Sequence, residues 1–390
     1  MNSFPQKLHN KLKERKSNNA FRVMNSSNNL IDFSSNDYLG FSVSEEIYEN
    51  TNTLLSSENL KRNGAKGSRL LTGNYSLYNK TEEYLSKIYR QEAALLFNSG
   101  YDANLGLLSS IAQRGDVILY DELIHASLRD GISMSHARAY KFKHNDLQDV
   151  QTMCKRIKKN NHVSNAEPIE IYLVTESVFS MDGDSPDLKS LVSICEEHSL
   201  NLIIDEAHAL GVYGLGLVHQ LNIEDKVFAT ILTFGKGLGC HGAAILGSTF
   251  LKEYLVNFSR SFIYTTALPP HSVATINTAF QELVLDTKAE NSAIKKLNSS
   301  INIFKTEIKL LGLDQHFIES NSAIQCCIIS GNEKVKSYSE KLKEEGYDVK
   351  AILSPTVSEG KERLRFCLHS YNSEEEIKGV LKTLKILIKK

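Results

Sequence analysis

The sequence has almost no excess of charge of either sign and no long apolar run. Its 390 residues include 45 lysines and arginines against 46 aspartates and glutamates, which gives a net charge of −1. A chain with so balanced a charge creates no overall field that would attract nucleic acid or an anionic membrane. No stretch approaches the roughly 20 apolar residues that a membrane-spanning helix needs, and the first twenty residues are too polar for a signal peptide. We therefore expect neither a nucleic-acid partner nor a membrane span.

Cysteine is also scarce, and none of the six cysteines stands in a Cys-x-x-Cys pair. A disulfide framework or a zinc site would show regular spacing, so scattered thiols favour a reducing compartment. The sequence therefore predicts a cytoplasmic protein without a metal centre. Since 41% of its residues are hydrophobic, the chain can bury the cores of two domains.

Short apolar runs alternate with helical patterns through the first two thirds of the chain. Six runs have the near-continuous apolar character of buried strands, at 94–97, 117–120, 171–174, 202–204, 230–232 and 243–246. This pattern predicts an α/β fold with a mostly parallel sheet that helices cover on both faces. We also expect a short helix over 5–16, a strand over 30–34 and a long helical region from about 270 to 310.

The C-terminal part of the chain has a different rhythm. Strand-like runs at 323–329, 349–353 and 364–368 alternate with helical patterns over 333–345 and 373–388, which is typical of an α+β domain. The expected organisation has three segments, which are an N-terminal segment 1–45, a large domain 46–270 and a small domain 271–390 that begins with an interdomain helix.

The most informative residues of the sequence are Lys236 and Asp205. Lys236 lies between glycines, three positions after Thr233, and Asp205 directly follows the apolar run 202–204. A lysine with small neighbours can react with an aldehyde, and an acid at the end of a strand lies where α/β proteins bind ligands. Pyridoxal phosphate (PLP) needs the lysine for its aldehyde and the acid for its pyridinium nitrogen. The ordinary alternatives are a surface lysine in a turn and an aspartate that caps a helix.

Three further patterns favour the same interpretation. His125 follows a strand and opens a helix, where its ring could stack on a planar cofactor or only cap the helix. The strand–turn–helix junction at 98–104 could present helix amides to a phosphate. Arg365 could bind a carboxylate through two parallel hydrogen bonds, or it could form a surface ion pair. Taken together, these patterns describe a PLP enzyme that acts on an amino acid.

Two other motifs point to different functions, but their context is wrong. Residues 205–208 match a helicase-type box, yet no Gly-x4-Gly-Lys-Ser/Thr loop precedes them. Residues 237–242 match the dinucleotide fingerprint Gly-x-Gly-x-x-Gly, yet they run into a strand-like segment rather than a helix. We therefore expect neither an ATPase nor a dinucleotide-dependent enzyme.

Several motifs together resemble the α-oxoamine synthases, a family of fold-type I PLP enzymes, over nearly the whole chain. These motifs lie at 34–40, 99–104, 125–127, 175–184, 233–239, 263–270 and 355–365. The match is closest to the biotin-pathway members, and Gly242-Ala243-Ala244 favours them over relatives that carry Gly-Gly. The resemblance implies a PLP-dependent acyltransferase that condenses L-alanine with a pimeloyl thioester, with release of CO₂ and the free thiol.

The sequence leaves several alternatives open. The acyl group could arrive on coenzyme A or on acyl carrier protein. The reaction could instead be that of glycine C-acetyltransferase, 5-aminolevulinate synthase or serine palmitoyltransferase. A non-catalytic assembly partner with the same fold is a different kind of alternative, which the retention of Lys236 disfavours.

The resemblance implies roles for the residues around the PLP ring. Lys236 would bind PLP covalently and later move protons, and Asp205 would pair with the pyridinium nitrogen. His125 would stack on the ring, while Ser180 and His208 would contact the phenolic oxygen. These residues include all four of the implied catalytic groups, Lys236, His125, Asp205 and His208.

The resemblance also implies how the phosphate and the substrates would be held. The amides of Gly100 and Tyr101 would bind the phosphate together with Thr233. Thr265 would reach the phosphate of a neighbouring subunit, which implies a homodimer with shared active sites. The substrates would be bound by Arg22, Asn36, Glu176, Thr356 and Arg365.

Overall fold

The computed structural model describes residues 4–24, 29–161 and 169–389, and these fold into two compact units. The larger unit comprises Asp37–Ser180 and Ser185–Lys295, and the smaller unit comprises the described parts of Met1–Asn36, Met181–Asp184 and Lys296–Lys390. The domain boundaries expected from the sequence, at 45/46 and 270/271, stay a prediction.

The described residues form helices and strands along the whole of their length. The helices are α1 (Gln6–Ser17), α2 (Glu45–Ser57), α3 (Ser76–Ile88), α4 (Gly100–Ile111), α5 (Ala126–Met134), α6 (Leu147–Asn161), α7 (Leu188–His198), α8 (Leu217–Gln220), α9 (Thr249–Phe258), α10 (Arg260–Ile263), α11 (Pro270–Asp286), α12 (Ala293–Leu310), α13 (Asn332–Glu344) and α14 (Glu374–Lys389). The strands are β1 (Ile31–Asp32), β2 (Ala93–Phe97), β3 (Val117–Asp121), β4 (Arg138–Phe142), β5 (Ile171–Glu176), β6 (Asn201–Asp205), β7 (Ala229–Thr233), β8 (Ala243–Gly247), β9 (Ile324–Ile328), β10 (Tyr347–Asp348), β11 (Lys350–Ile352) and β12 (Arg363–Cys367).

The larger unit is built on a seven-stranded sheet in the order β2-β8-β7-β6-β5-β3-β4. Only β8 runs antiparallel to its neighbours β2 and β7. The other pairs are parallel, which confirms the expected α/β fold with a mostly parallel sheet. All six apolar runs singled out in the sequence are strands of this sheet.

The continuous apolar character of these strands follows from burial on both faces of the sheet. Ile118 and Ile203 belong to one apolar cluster, while their chain neighbours Val117 and Leu202 belong to a second. Because successive strand residues point to opposite faces, a sheet with two buried faces requires an apolar residue at almost every position.

The expected helical region 270–310 is present as two helices, one expectation about a strand was wrong, and one strand was missed. The helical region 270–310 is not continuous, because α11 ends at Asp286 and its carboxylate accepts hydrogen bonds from the amides of Ala293 and Ile294 (2.7 and 3.0 Å) at the start of α12. The strand expected over 30–34 is reduced to the two residues of β1. Strand β4 was not expected, because four of its five residues are exposed and lack the apolar pattern of a buried strand. Its extended conformation depends on parallel backbone pairing with β3.

The smaller unit contains a three-stranded antiparallel sheet in the order β11-β12-β9 and a parallel pair formed by β1 and β10. All five residues of the central strand β12 are buried, including Arg363 and Arg365. Among the residues that the structure describes, no helix is both long and apolar enough to cross a membrane.

Candidate active site

Three carboxylates end neighbouring strands at one edge of the larger sheet. Asp121 ends β3, Glu176 ends β5 and Asp205 ends β6. Glu176 and Asp205 are direct partners in the parallel ladder, so their backbones lie side by side. Each of the three residues is at most 4% exposed. The carboxyl edge of the sheet therefore collects acidic groups where a parallel sheet usually binds its ligand.

Asp205 is held in a fixed orientation by two donors. Its Oδ2 accepts a hydrogen bond from Asn104 Nδ2 (2.8 Å), and its Oδ1 accepts one from the amide of Ala207 (2.9 Å). Asn104 also donates to Ser127 Oγ (3.0 Å), which ties helices α4 and α5 to this carboxylate. A buried carboxylate held in this way can pair with a cationic ring nitrogen.

Lys236 belongs to a short hydrogen-bonded chain. Its Nζ lies 2.9 Å from Nε2 of His208, and Nδ1 of the same imidazole lies 2.7 Å from the hydroxyl of Tyr38. His208 is 4% exposed and Tyr38 is fully buried, whereas Lys236 is half-buried in the turn after β7. The structure thus brings together the predicted Lys236 and His208 and adds Tyr38, for which no role was predicted.

The backbone of His125 is held by Glu176. The amide of His125 donates to Glu176 Oε1 (2.6 Å), and His125 Nδ1 lies 2.7 Å from Ser127 Oγ. Burial, and secondarily the positive charge of Lys236, lower the pKa of His125. Burial, and secondarily the negative charge of Asp205, raise the pKa of Glu176 to about 8.

The N-terminus of helix α4 forms a cradle against the end of β7. Ser99 caps the helix by accepting a hydrogen bond from the amide of Asp102 (3.1 Å). A Cβ atom built on Gly100 would lie 2.2 Å from Thr233 Oγ1, so only glycine allows the threonine to approach the first turn. The free amides of the turn, at Gly100 and Tyr101, and the hydroxyl of Thr233 form a donor set that fits a phosphate.

Ser180 and Thr265 also lie in the larger unit. Ser180 is half-buried in the turn after β5, and Thr265 Oγ1 accepts a hydrogen bond from Asn98 Nδ2 (3.0 Å). The side chain of Tyr101 is exposed, and its hydroxyl hydrogen-bonds to Asp130. The contacts predicted for Ser180 and Thr265 with PLP stay predictions.

The remaining substrate candidates lie in the smaller unit. Arg365 is 6% exposed and donates to Asn36 Oδ1 (3.1 Å) and to Cys367 Sγ (2.9 Å), so a surface ion pair is the wrong interpretation of this residue. Arg22 and Thr356 are exposed. The structure therefore brings Arg365 and Asn36 together.

In the larger unit alone, the side chains fit PLP. They provide an amine for its aldehyde, a buried carboxylate for its ring nitrogen and an imidazole beside the lysine. The backbone amides at the start of α4 add a cradle for its phosphate. The glycine-rich segment 237–242 does not fit a dinucleotide. It leads into β8, whereas the dinucleotide fingerprint leads into a helix.

Comparisons with known proteins agree with this donor set. The profile of the class I and II aminotransferases matches residues 28–384. The chain is 37% identical to the 8-amino-7-oxononanoate synthase of Emericella nidulans over 366 residues, which cover 91% of this chain and 88% of that protein. It is similar to the crystal structure of 8-amino-7-oxononanoate synthase from Francisella tularensis, with a TM-score of 0.74, 27% identity, and coverage of 92% of this chain and 98% of that chain.

A second structural similarity concerns the fold alone. Serine palmitoyltransferase from S. paucimobilis, with bound PLP and myriocin, superimposes with a TM-score of 0.85 and 23% identity. The similarity covers 98% of this chain and 97% of that chain.

Proposed function

Because this chain belongs to the α-oxoamine synthases of the class I and II aminotransferase family, which use PLP, we propose that it condenses L-alanine with a pimeloyl thioester. The products would be 8-amino-7-oxononanoate, CO₂ and the free thiol, and the reaction would belong to biotin biosynthesis in the cytoplasm. The 37% identity to the E. nidulans enzyme supports this choice within the family. The observation that carries the proposal is the Lys236–His208 contact of 2.9 Å beside the anchored carboxylate of Asp205.

When bound, PLP supplies an aldehyde that captures amines and a protonated ring that accepts the electron pair of a deprotonated Cα. The chain must therefore bind the cofactor, remove a proton from the Cα of alanine and return one after CO₂ has left. Lys236 is suited to move these protons, because its amine lies in a half-buried turn next to an imidazole that can exchange protons with it.

The other groups around the ring would fix its charge and orientation. Asp205 would favour the protonated ring nitrogen, because its two donors hold the carboxylate in place. His125 would stack on the ring, and Ser180 and His208 would contact its phenolic oxygen. Glu176 was expected to bind substrate, but its hydrogen bond to the amide of His125 supports a different role, which is to position that histidine.

Substrate binding would be shared by residues of the smaller unit. The guanidinium of Arg365, which Asn36 orients, would bind the carboxylate of alanine through two parallel hydrogen bonds. Arg22 and Thr356 would contact the acyl donor. The amides of Gly100 and Tyr101 would bind the phosphate with Thr233, and Thr265 would complete the phosphate site of a neighbouring subunit in a homodimer.

The proposal is tested by identifying the product. Alanine, glycine and serine are each offered with pimeloyl-, acetyl-, succinyl- and palmitoyl-coenzyme A, and the products are identified by mass spectrometry. We expect 8-amino-7-oxononanoate from alanine and pimeloyl-coenzyme A to form fastest, and Lys236→Ala to form none. Pimeloyl on acyl carrier protein, offered in parallel, shows which carrier is preferred. Faster condensation of glycine or serine with another thioester would assign the chain to a different branch of the family.

A further inference from the structure

We infer that Tyr38 is a positioning residue that sets the tautomer of His208 together with the ammonium of Lys236, an inference that rests on the proposed role of Lys236 in moving protons. The three side chains form one line of hydrogen bonds. The hydroxyl of Tyr38 lies 2.7 Å from His208 Nδ1, and His208 Nε2 lies 2.9 Å from Lys236 Nζ. Because the imidazole contacts both neighbours, the hydrogen that it carries on one nitrogen decides what it can do at the other.

The order of donors along this line follows from the chemistry of the groups. An ammonium group has three hydrogens to donate and no lone pair, so a protonated Lys236 requires Nε2 to accept. A neutral imidazole carries only one hydrogen, which must then lie on Nδ1. That hydrogen points at the oxygen of Tyr38, which accepts it. The tyrosine therefore stabilises the tautomer whose Nε2 lone pair faces the lysine.

This tautomer allows a proton to leave Lys236. An N–H bond breaks at Nζ, a new N–H bond forms at Nε2, and the positive charge passes to the imidazole without oxidation or reduction. Throughout this transfer Nδ1 keeps its hydrogen bond to Tyr38. When the amine takes a proton back, the same steps run in reverse. A hydroxyl can also donate, so Tyr38 remains paired when His208 carries its hydrogen on Nε2 instead.

The backbone holds Tyr38 in register with Lys236. A Cβ atom built on Gly239 would lie 2.2 Å from the amide of Ser42, so the turn that carries Lys236 packs directly against the segment just after Tyr38. Gly239 has a φ of +63°, and its amide donates to the carbonyl of Lys236 (2.8 Å). Tyr38 itself is fully buried, so its ring has little freedom to leave the imidazole.

The first test follows proton transfer in the holoenzyme without any acyl donor. The enzyme is incubated with L-alanine in D₂O, and NMR measures the replacement of the Cα hydrogen by deuterium. We expect Tyr38→Phe to slow this exchange at least about tenfold with little change in the KM for alanine, because the tautomer and not substrate binding is altered. Tyr172→Phe removes another buried hydroxyl, which bonds to the carbonyl of Ile111 (3.3 Å), and should leave exchange unchanged.

The second test observes the tautomer directly in the full chain after PLP has been removed. Nitrogen-15 NMR of labelled histidine distinguishes the two ring nitrogens, and His208→Asn identifies the relevant signals. At neutral pH we expect the Nδ1–H form in the wild type and a shift toward Nε2–H in Tyr38→Phe. Lys236→Met removes the ammonium and should cause the same shift with Tyr38 in place, which decides the matter if Tyr38→Phe does not fold.

Some outcomes would overturn the inference. One is an Nε2–H imidazole in the wild type at neutral pH, and another is the same tautomer in the wild type and Lys236→Met. Unchanged exchange in a folded Tyr38→Phe would also overturn it. None of these results depends on the identity of the thioester. A failed product assignment would therefore be distinguishable from a failed inference.

Discussion

At the scale of single residues, the site contains two neighbouring carboxyl groups that are held in different ways. Asp205 and Glu176 end adjacent parallel strands and are partners in the ladder. Asp205 is anchored by two donors, whereas burial and the charge of Asp205 raise the pKa of Glu176 to about 8. This raised pKa favours the uncharged acid, which can hold the amide of His125 without competing with Asp205 for the cation of the cofactor.

This difference predicts how Glu176→Gln changes stability with pH. Folding raises the pKa of this glutamate, so its stabilising contribution is complete below its usual pKa of 4.5 and is lost as pH rises through about 8. Glutamine mimics the neutral acid and has no such dependence. The melting temperature of Glu176→Gln relative to wild type should therefore rise between pH 5 and pH 9, by about 2–4 °C for each kcal/mol gained.

Thermal unfolding of the PLP-free protein at several pH values measures this effect. Glu83→Gln, at an exposed position, serves as the control and should track the wild type. A constant difference between Glu176→Gln and wild type over the whole range would show that Glu176 is charged in the folded protein.

A second prediction at this scale concerns Arg365. Arg365→Ala should raise the KM for alanine and lower kcat, because both anchoring and orientation of the carboxylate are lost. A loss of roughly 2–5 kcal/mol is expected for one partner of a desolvated charge pair. Arg365→Lys should recover little, since an ammonium cannot form the two parallel hydrogen bonds. Steady-state kinetics with PLP absorbance as a control would check this, and unchanged alanine saturation would place the carboxylate elsewhere.

At the scale of elements, the carboxyl ends of the parallel strands and the N-terminus of α4 together form the site that we propose for the cofactor. Gly100 links the two, because its lack of a side chain lets Thr233 at the end of β7 approach the first turn of α4. We therefore propose that the amides of the first turn and the hydroxyl of Thr233 form the phosphate site.

Gly100→Ala should therefore weaken PLP binding more than it harms the fold. The added Cβ would lie 2.2 Å from Thr233 Oγ1 and must displace the hydroxyl from the cradle. Overpacking of this kind costs roughly 1–3 kcal/mol, which corresponds to at least about a fivefold weaker affinity for PLP. Fluorescence titration with PLP measures the change. Gly64→Ala, where a Cβ meets nothing within 4 Å, should bind normally, and equal affinities in the two variants would contradict the cradle.

Some strands and helix boundaries could be predicted from the sequence, and others could not. The strands with two buried faces were predictable, because such burial imposes a local apolar pattern, as in 117–120 and 202–204. Strand β4 was not predictable, since it depends on pairing with β3 rather than on its own composition. The break between α11 and α12 depends on a side-chain contact of Asp286 with amides 7 and 8 residues away, which apolar periodicity does not record.

The same distinction holds for the site. Lys236, Asp205 and His208 lie in local motifs, so their place beside the sheet edge could be inferred from spacing. Tyr38 contacts His208, which lies 170 residues away in sequence, and Asn104 contacts Asp205, which lies 101 residues away. A local sequence pattern does not predict contacts over such separations.

At the scale of the whole molecule, we expect two chains to form each functional enzyme. Tyr264, next to Thr265, is 73% exposed in the single chain, and Leu71 is 82% exposed. Large apolar side chains left in solvent commonly mark a surface that another protein covers.

The expected dimer can be tested by complementation. Lys236→Ala and Thr265→Asp should each be inactive, but mixed dimers should recover part of the activity, because one of their two sites would combine the intact Lys236 and Thr265. Sedimentation of the wild type measures its mass independently. A monomer with full activity, or no recovery in proven mixed dimers, would exclude shared sites.

We propose that this chain joins loss of the alanine carboxyl group to acyl transfer, and one isotope experiment tests this coupling. The holoenzyme is supplied with L-alanine that carries ¹³C only in its carboxyl group, together with pimeloyl-coenzyme A. We expect labelled CO₂ in equal amount to the released thiol, an unlabelled amino ketone, and none of these products with Lys236→Ala. Label retained in the condensation product, or labelled pyruvate formed by amino-group transfer without release of thiol, would contradict it.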